Sequence, residues 1–132
     1  MVKKLKLHLP WLVWFLTILV LSLIPGNQIP IIKFDWFKID TVVHIIMYLV
    51  LTFLMLIGFF HQKNELSAKL ALYIVVAAIL AGLLIEYLQG SYIFQRYFSW
   101  GDFIANSVGS FAGYLAYMMY KKKELNLVRF LQ

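Results

Sequence analysis

Apolar residues in this chain come in four long runs, separated by short stretches that hold nearly all the ionisable side chains. The runs extend from Leu7 to Ile24, Thr41 to Phe60, Leu70 to Leu88 and Phe103 to Tyr120. Each reaches or exceeds the roughly 18 residues that mark a candidate transmembrane helix. The first closes on the breaker string Pro25-Gly26-Asn27; the third carries one acid, Glu86, near its end, and the fourth carries no charge. The pattern predicts an all-α polytopic membrane protein with four transmembrane helices in one domain over residues 1–132. Four successive runs of this length are not the pattern of a soluble bundle. Lys3, Lys4 and Lys6 ahead of the first run resemble the start of a signal peptide. The run is long for a signal sequence and no A-x-A-like cleavage site follows, so the expectation is a retained span.

Composition agrees. Hydrophobic residues make up 63% of the 132 and charged residues 14%, against about 45–50% and about 25% in soluble domains. A chain this short has too little interior to hide that surface from water, because small domains bury the smallest fraction of their chain. The same numbers exclude disorder. A net charge of +6 that is not gathered on a soluble basic face argues against nucleic acid as a partner. The absence of cysteine removes disulfides, thiolate zinc sites and cysteine nucleophiles.

The basic residues set the expected orientation. With the N-terminus inside, nine Lys and Arg fall in cytoplasmic segments (Lys3, Lys4, Lys6, Lys63, Lys69, Lys121, Lys122, Lys123, Arg129) and three in outer loops (Lys33, Lys38, Arg96). The positive-inside rule then predicts that both termini are cytoplasmic. The run Lys121 to Lys123 reads as a stop-transfer anchor beside anionic headgroups.

With that orientation the remaining polar residues fall into stripes. Asp40, His44 and Tyr48 recur every four residues and share one helical face. Asp102, Asn106, Gly109 and Gly113 form a second stripe, and Gly82, Glu86 and Gln89 a third. All three approach the outer membrane boundary. Between the third and fourth runs, Tyr92, Phe94, Tyr97, Phe98 and Trp100 surround Arg96, a density of aromatics that fits the headgroup region as an interfacial anchor, a lid or a re-entrant rim.

Several of these residues have plain structural readings. Asp40 and Asp102 each precede an apolar run, the position of an N-cap. Gly101, Ala105, Gly109 and Gly113 form a small-residue ladder for close helix approach, with Ala78 and Gly82 as the expected counterparts, and such a ladder can also serve a homo-oligomer. Asn106 and His44 can act as interhelical hydrogen-bond glue. Glu86 demands more, since an acid costs on the order of 2.5–3.5 kcal/mol at mid-bilayer and intramembrane acids usually have partners and a purpose. Arg96, Lys38 and protonated His44 are the available cations. Glu86 and His44 are also the candidates for acid–base chemistry or a proton relay.

The ordered string Glu86-x2-Gln89-x6-Arg96-x2-Ser99-x2-Asp102-x3-Asn106-x2-Gly109-x3-Gly113, preceded by Asp40-x3-His44-x3-Tyr48, resembles the signature of the VanZ-like family. Ser22-x2-Pro25 resembles that family's first-helix ending, and the likeness runs over about residues 10 to 120. It implies a small polytopic protein of the bacterial cytoplasmic membrane, in a family named for a member associated with teicoplanin resistance. Its polar motif positions fall on Asp40, His44, Glu86, Gln89, Arg96, Asp102 and Asn106. One departure is Thr41, where many members carry Lys.

Three functions remain open at this level. One is binding of an amphiphile headgroup, from an envelope lipid, a lipid-linked precursor or a lipoglycopeptide, by Arg96, Asp40, Gln89, Asp102, Asn106 and Tyr48. The second is a membrane-embedded hydrolase or transferase acting on a lipid-linked phosphate or ester, with Glu86 and His44 as acid and base and Arg96 on the anion. The third is a purely structural polar set, with Gly82, Gly109 and Gly113 as packing positions. One His and three carboxylates on separate helices have no compact ligand spacing, so no metal site is predicted, and no cofactor is specified.

Overall fold

A computed structural model describes the backbone over residues 2–24, 36–91 and 97–131, with side chains over 5–24, 39–91 and 97–124. The described residues form four helices: α1 (Val2–Ser22), α2 (Trp36–Lys63), α3 (Ala68–Gln89) and α4 (Trp100–Leu131). Among the described residues there is no strand. Each helix starts before its apolar stretch; α1 ends at Ser22, short of Ile24, whereas α4 continues beyond Tyr120 through Lys121 to Lys123. Leaving the apolar zone gives a helix no reason to stop, because every backbone bond is made within the segment.

Local signals set the ends. Ser67 accepts from the Leu70 amide at 3.3 Å to start α3, and the Gly90 amide returns to the Glu86 carbonyl at 3.0 Å to close it. Asn64, just past α2, takes the left-handed conformation with φ of 59°, where Asn is one of the tolerated residues. The capping expected of the two acids does not hold. Asp40 lies inside α2, a full turn past its start, and Asp102 sits in the first turn of α4. Ser99 takes the capping position instead, its hydroxyl accepting from the Asp102 amide at 3.2 Å. The aromatics at positions 36 and 100 carry each helix start outward, past the point where the apolar run begins.

The helices pack around α2, which touches the other three and lies most extensively against α4. Two apolar clusters hold the bundle: Leu56, Phe60, Leu66, Ala71, Ile74 and Tyr117 near the α2–α3 turn, and Ile18, Met47, Tyr48, Leu51 and Ile85 nearer the other end. Beside the first cluster, Trp11 donates to His8 Nδ1 at 2.9 Å, which leaves His8 Nε2 to donate to Gln62 Oε1 at 2.7 Å. That polar chain ties the start of α1 to the end of α2.

The polarity is inverted relative to a water-soluble protein. Asn106, Ser110, Thr52, Glu86, Gln89 and His44 are buried, while Leu5, Leu9, Val13, Leu16 and Val20 line an exposed face of α1. Among the described residues three stretches are long and apolar enough to cross a membrane: Leu5–Ser22, Ile39–Lys63 and Ala68–Gln89. The fourth helix is less apolar on average because its buried face carries the small polar residues. Its outward face is as greasy as the others, with Ile104, Val108, Phe111, Leu115 and Met118 exposed at helical spacing.

Candidate functional site

The three polar stripes meet between α2, α3 and α4. His44, one turn below Asp40 on α2, is 95% buried, and its ring lies between groups from all three helices. Its Nδ1 is 2.9 Å from Asn106 Oδ1 of α4 and 3.8 Å from Glu86 Oε1 of α3. Its Nε2 is 3.7 Å from Asp40 Oδ1. Asn106 Oδ1 can only accept, so Nδ1 carries the hydrogen of that bond and Nε2 turns to Asp40.

Exposure falls steeply inward. The Asp40 side chain is 43% exposed, His44 6% and Glu86 1%. Asp102 is half-buried beside Asp40, and one ligand-type atom from each of Asp40, His44 and Asp102 lies within 4.8 Å of the other two. The site therefore has a rim of two acids, an imidazole wall and a fully buried acid with a carboxamide at its floor.

Glycines permit this convergence. A Cβ on Gly82 would stand 3.1 Å from both Tyr48 Cε1 and Asn106 Cβ, so α3 rests directly on those two side chains. Tyr48 Oη and Asn106 Nδ2 are buried and make no hydrogen bond among the described residues. Gly109 and Gly113 bring α4 onto the backbone of α2 at the Ile45 and Leu49 carbonyls. The counterpart of the glycine ladder is thus α2 rather than Ala78 and Gly82 of α3, and the ladder is filled within one chain. The helix bearing His44 is the one that must come closest to Asn106.

Gln89 stands apart from the imidazole. Its amide donates to the Ser22 carbonyl at 2.6 Å in a buried contact, which fixes the end of α1 against the end of α3. The sequence signal for that acceptor is Pro25, three residues on, which cannot continue the helix and leaves late α1 carbonyls in need of donors. Thr52 and Ser110, both 0% exposed, carry polar groups that the stripes did not include. Arg96, with Tyr92 and Phe94, lies outside the described residues. Of the aromatic segment that is described, Tyr97 is 94% exposed and Phe98 stacks edge-on with Trp100 at 4.9 Å between centroids.

Neither curated proteins nor solved structures give a match to this sequence. The model of one protein family does match, that of VanZ/LLP1, over residues 5–121. That span takes in all three polar stripes and the glycines that seat them, and the chain belongs to the VanZ/LLP1 family.

Proposed function

We propose that this VanZ/LLP1 protein binds the headgroup of an envelope amphiphile, a cell-wall lipid or a lipoglycopeptide, at the outer boundary of the bacterial cytoplasmic membrane. Through that binding it contributes to envelope homeostasis or to glycopeptide resistance of the teicoplanin type. The observation that carries this reading is the exposure gradient from Asp40 through His44 to Glu86. Ionisable groups inside a span are costly and default to a functional role, and here they descend from an open rim to a closed floor. α4 serves as the fourth span, its apolar face in lipid and its polar face on the site.

Two features suit an amphiphile. Arg96 precedes the rim residue Asp102 in sequence, and its guanidinium suits phosphate or carboxylate. A groove lined by Trp11, Phe15, Leu51, Met55, Ala78 and Ala81 opens between α1 and α3, which touch only slightly, and offers an acyl chain a wall of small side chains. The test is binding of the purified protein to vesicles carrying anionic phosphate lipids or a lipoglycopeptide, compared with zwitterionic vesicles. Preferential binding that falls sharply in Arg96→Ala and His44→Ala is expected; equal binding to every vesicle would overturn the reading.

A second reading rests on the imidazole between two acids. His44 faces Asp40 with one nitrogen and Glu86 with the other, an arrangement suited to moving a proton during hydrolysis or transfer on a lipid-linked phosphate or ester. A new product, detected by mass spectrometry after incubation with envelope lipids and lost in Glu86→Gln, would favour it over binding alone.

A further inference from the structure

We infer that Asp40, His44 and Asp102 form a binding site for a divalent transition-metal cation of the zinc or manganese class. Its open coordination position faces the rim, where it can take an oxygen of an anionic headgroup. The headgroup part of this inference rests on the function proposed above; the metal site itself does not.

The first support is the donor set. One imidazole nitrogen and a carboxylate oxygen from each of two aspartates lie within 4.8 Å of one another. They come from two helices, α2 and α4, that the glycine contacts at Ile45 and Leu49 hold in fixed register. Metal–ligand bonds of about 2.0–2.2 Å place ligand atoms a little closer than this, so rotation of the two Asp side chains completes the site. Imidazole mixed with carboxylate favours zinc- or manganese-type ions over calcium, which takes oxygen ligands.

The second support lies outside the three ligands. Asn106 Oδ1 holds the hydrogen of His44 Nδ1, which leaves the Nε2 lone pair directed at the two acids. That nitrogen belongs to a ring 6% exposed, and its neighbour at 3.7 Å is a carboxylate oxygen, another acceptor. No donor meets it among the described residues. With the ring neutral, that buried lone pair and the two acids together offer three acceptors to one cation placed between them. Fixing the tautomer through the distal ring nitrogen is the arrangement that outer-shell partners provide for metal-bound histidines. Among the described residues neither Asp40 nor Asp102 is paired with a Lys or Arg side chain, and the contact of Asp40 with His44 is an ion pair only when the ring is protonated.

Three protein ligands leave a coordination position, and the 43% exposure of Asp40 puts it on the open side. There a metal ion would supply concentrated positive charge for a phosphate or carboxylate oxygen. Asn106 acts in this scheme as a positioning residue.

The experiment uses the full chain, stripped of metal, in detergent or in zwitterionic nanodiscs, titrated with Zn²⁺ and Mn²⁺ by calorimetry with Ca²⁺ as control. One ion per chain is expected, with binding abolished in Asp102→Asn and His44→Gln. Asn106→Leu is expected to weaken it about 10–100-fold, as loss of an outer-shell partner does. Circular dichroism and thermal unfolding of Asp102→Asn, a rim residue, keep loss of binding separate from loss of fold. Failure of the folded wild type to bind either ion, or stoichiometric binding that survives both ligand substitutions, overturns the metal site. Vesicle binding is then repeated with and without a chelator. Loss with chelator and recovery on adding back Zn²⁺ or Mn²⁺ supports the role in headgroup capture, and chelator-insensitive vesicle binding overturns that role. Metal binding without any headgroup preference sinks the function proposed above, not the site.

Discussion

The side-chain amide of Gln89 donates to the main-chain carbonyl of Ser22 at 2.6 Å, joining the ends of α1 and α3 that the sequence separates by 67 residues. The contact is buried, and in a lipid surrounding no water replaces a lost donor. Gln89→Leu is therefore expected to destabilise the bundle by about 1–3 kcal/mol, the typical cost of stranding one buried polar group. Gln89→Glu should cost more, because it sets a carboxylate oxygen against a carbonyl oxygen. Thermal unfolding in detergent checks the order; equal stability of the wild type and both variants would remove this tie from the fold.

The glycines give a second ranking. A methyl at Gly109 would overlap the Ile45 carbonyl, and one at Gly113 would stand 2.5 Å from the Leu49 carbonyl. Backbone cannot step aside as a side chain can, so both alanine variants must pry α2 from α4, at a cost of at least about 1–3 kcal/mol. Gly82→Ala meets side-chain atoms of Tyr48 and Asn106 at 3.1 Å, and those can yield. We expect Gly109→Ala and Gly113→Ala to lower the melting temperature more than Gly82→Ala. Gly82→Ala should instead disturb ligand or metal binding, since it presses on Asn106 directly.

Thr52 and Ser110 are fully buried, yet Thr52 Oγ1 and Ser110 Oγ make no hydrogen bond among the described residues. Replacing a buried polar atom that lacks a partner by an apolar group of the same shape is neutral or stabilising. Thr52→Val and Ser110→Ala are thus expected to melt at or above the wild-type temperature. A fall of several degrees in either would show that its hydroxyl has a partner in the membrane-embedded protein.

The spacing of Asp40, His44 and Tyr48 was legible in the sequence because a helix of 3.6 residues per turn places every fourth residue on one face. What one helix presents can be read from one helix. Which atoms meet across helices cannot, because relative rotation and depth depend on contacts between segments distant in sequence. Thus Asn106 reads as helix glue, but its bond to His44 Nδ1 and the resulting direction of Nε2 needed the packed bundle. The same holds for the glycine ladder, legible as a close-approach surface but not as one that meets Ile45 and Leu49. The two acids were misplaced as caps for a different reason: hydropathy marks where the apolar zone begins, whereas the helices start several residues earlier, at Trp36 and Trp100. The gathering of Asp40, His44 and Asp102 escaped the spacing argument because its ligands come from two helices.

The distribution of Lys and Arg makes a prediction about the site's location that labelling can settle. The chain has no cysteine, so each introduced thiol is the sole target for a membrane-impermeant maleimide. Tyr97, 94% exposed just before α4, and Lys123, exposed beyond the apolar part of α4, flank the helix whose hydropathy leaves its crossing open. On intact cells Tyr97→Cys should label at once and Lys123→Cys only after permeabilisation, because the basic run is retained inside. Labelling of both from one side would remove α4 as a span and leave the His44 cluster unenclosed. The reverse pattern would keep four spans but turn the rim of Asp40 and Asp102 to the cytoplasm, replacing an envelope amphiphile with a cytoplasmic-leaflet headgroup as the ligand.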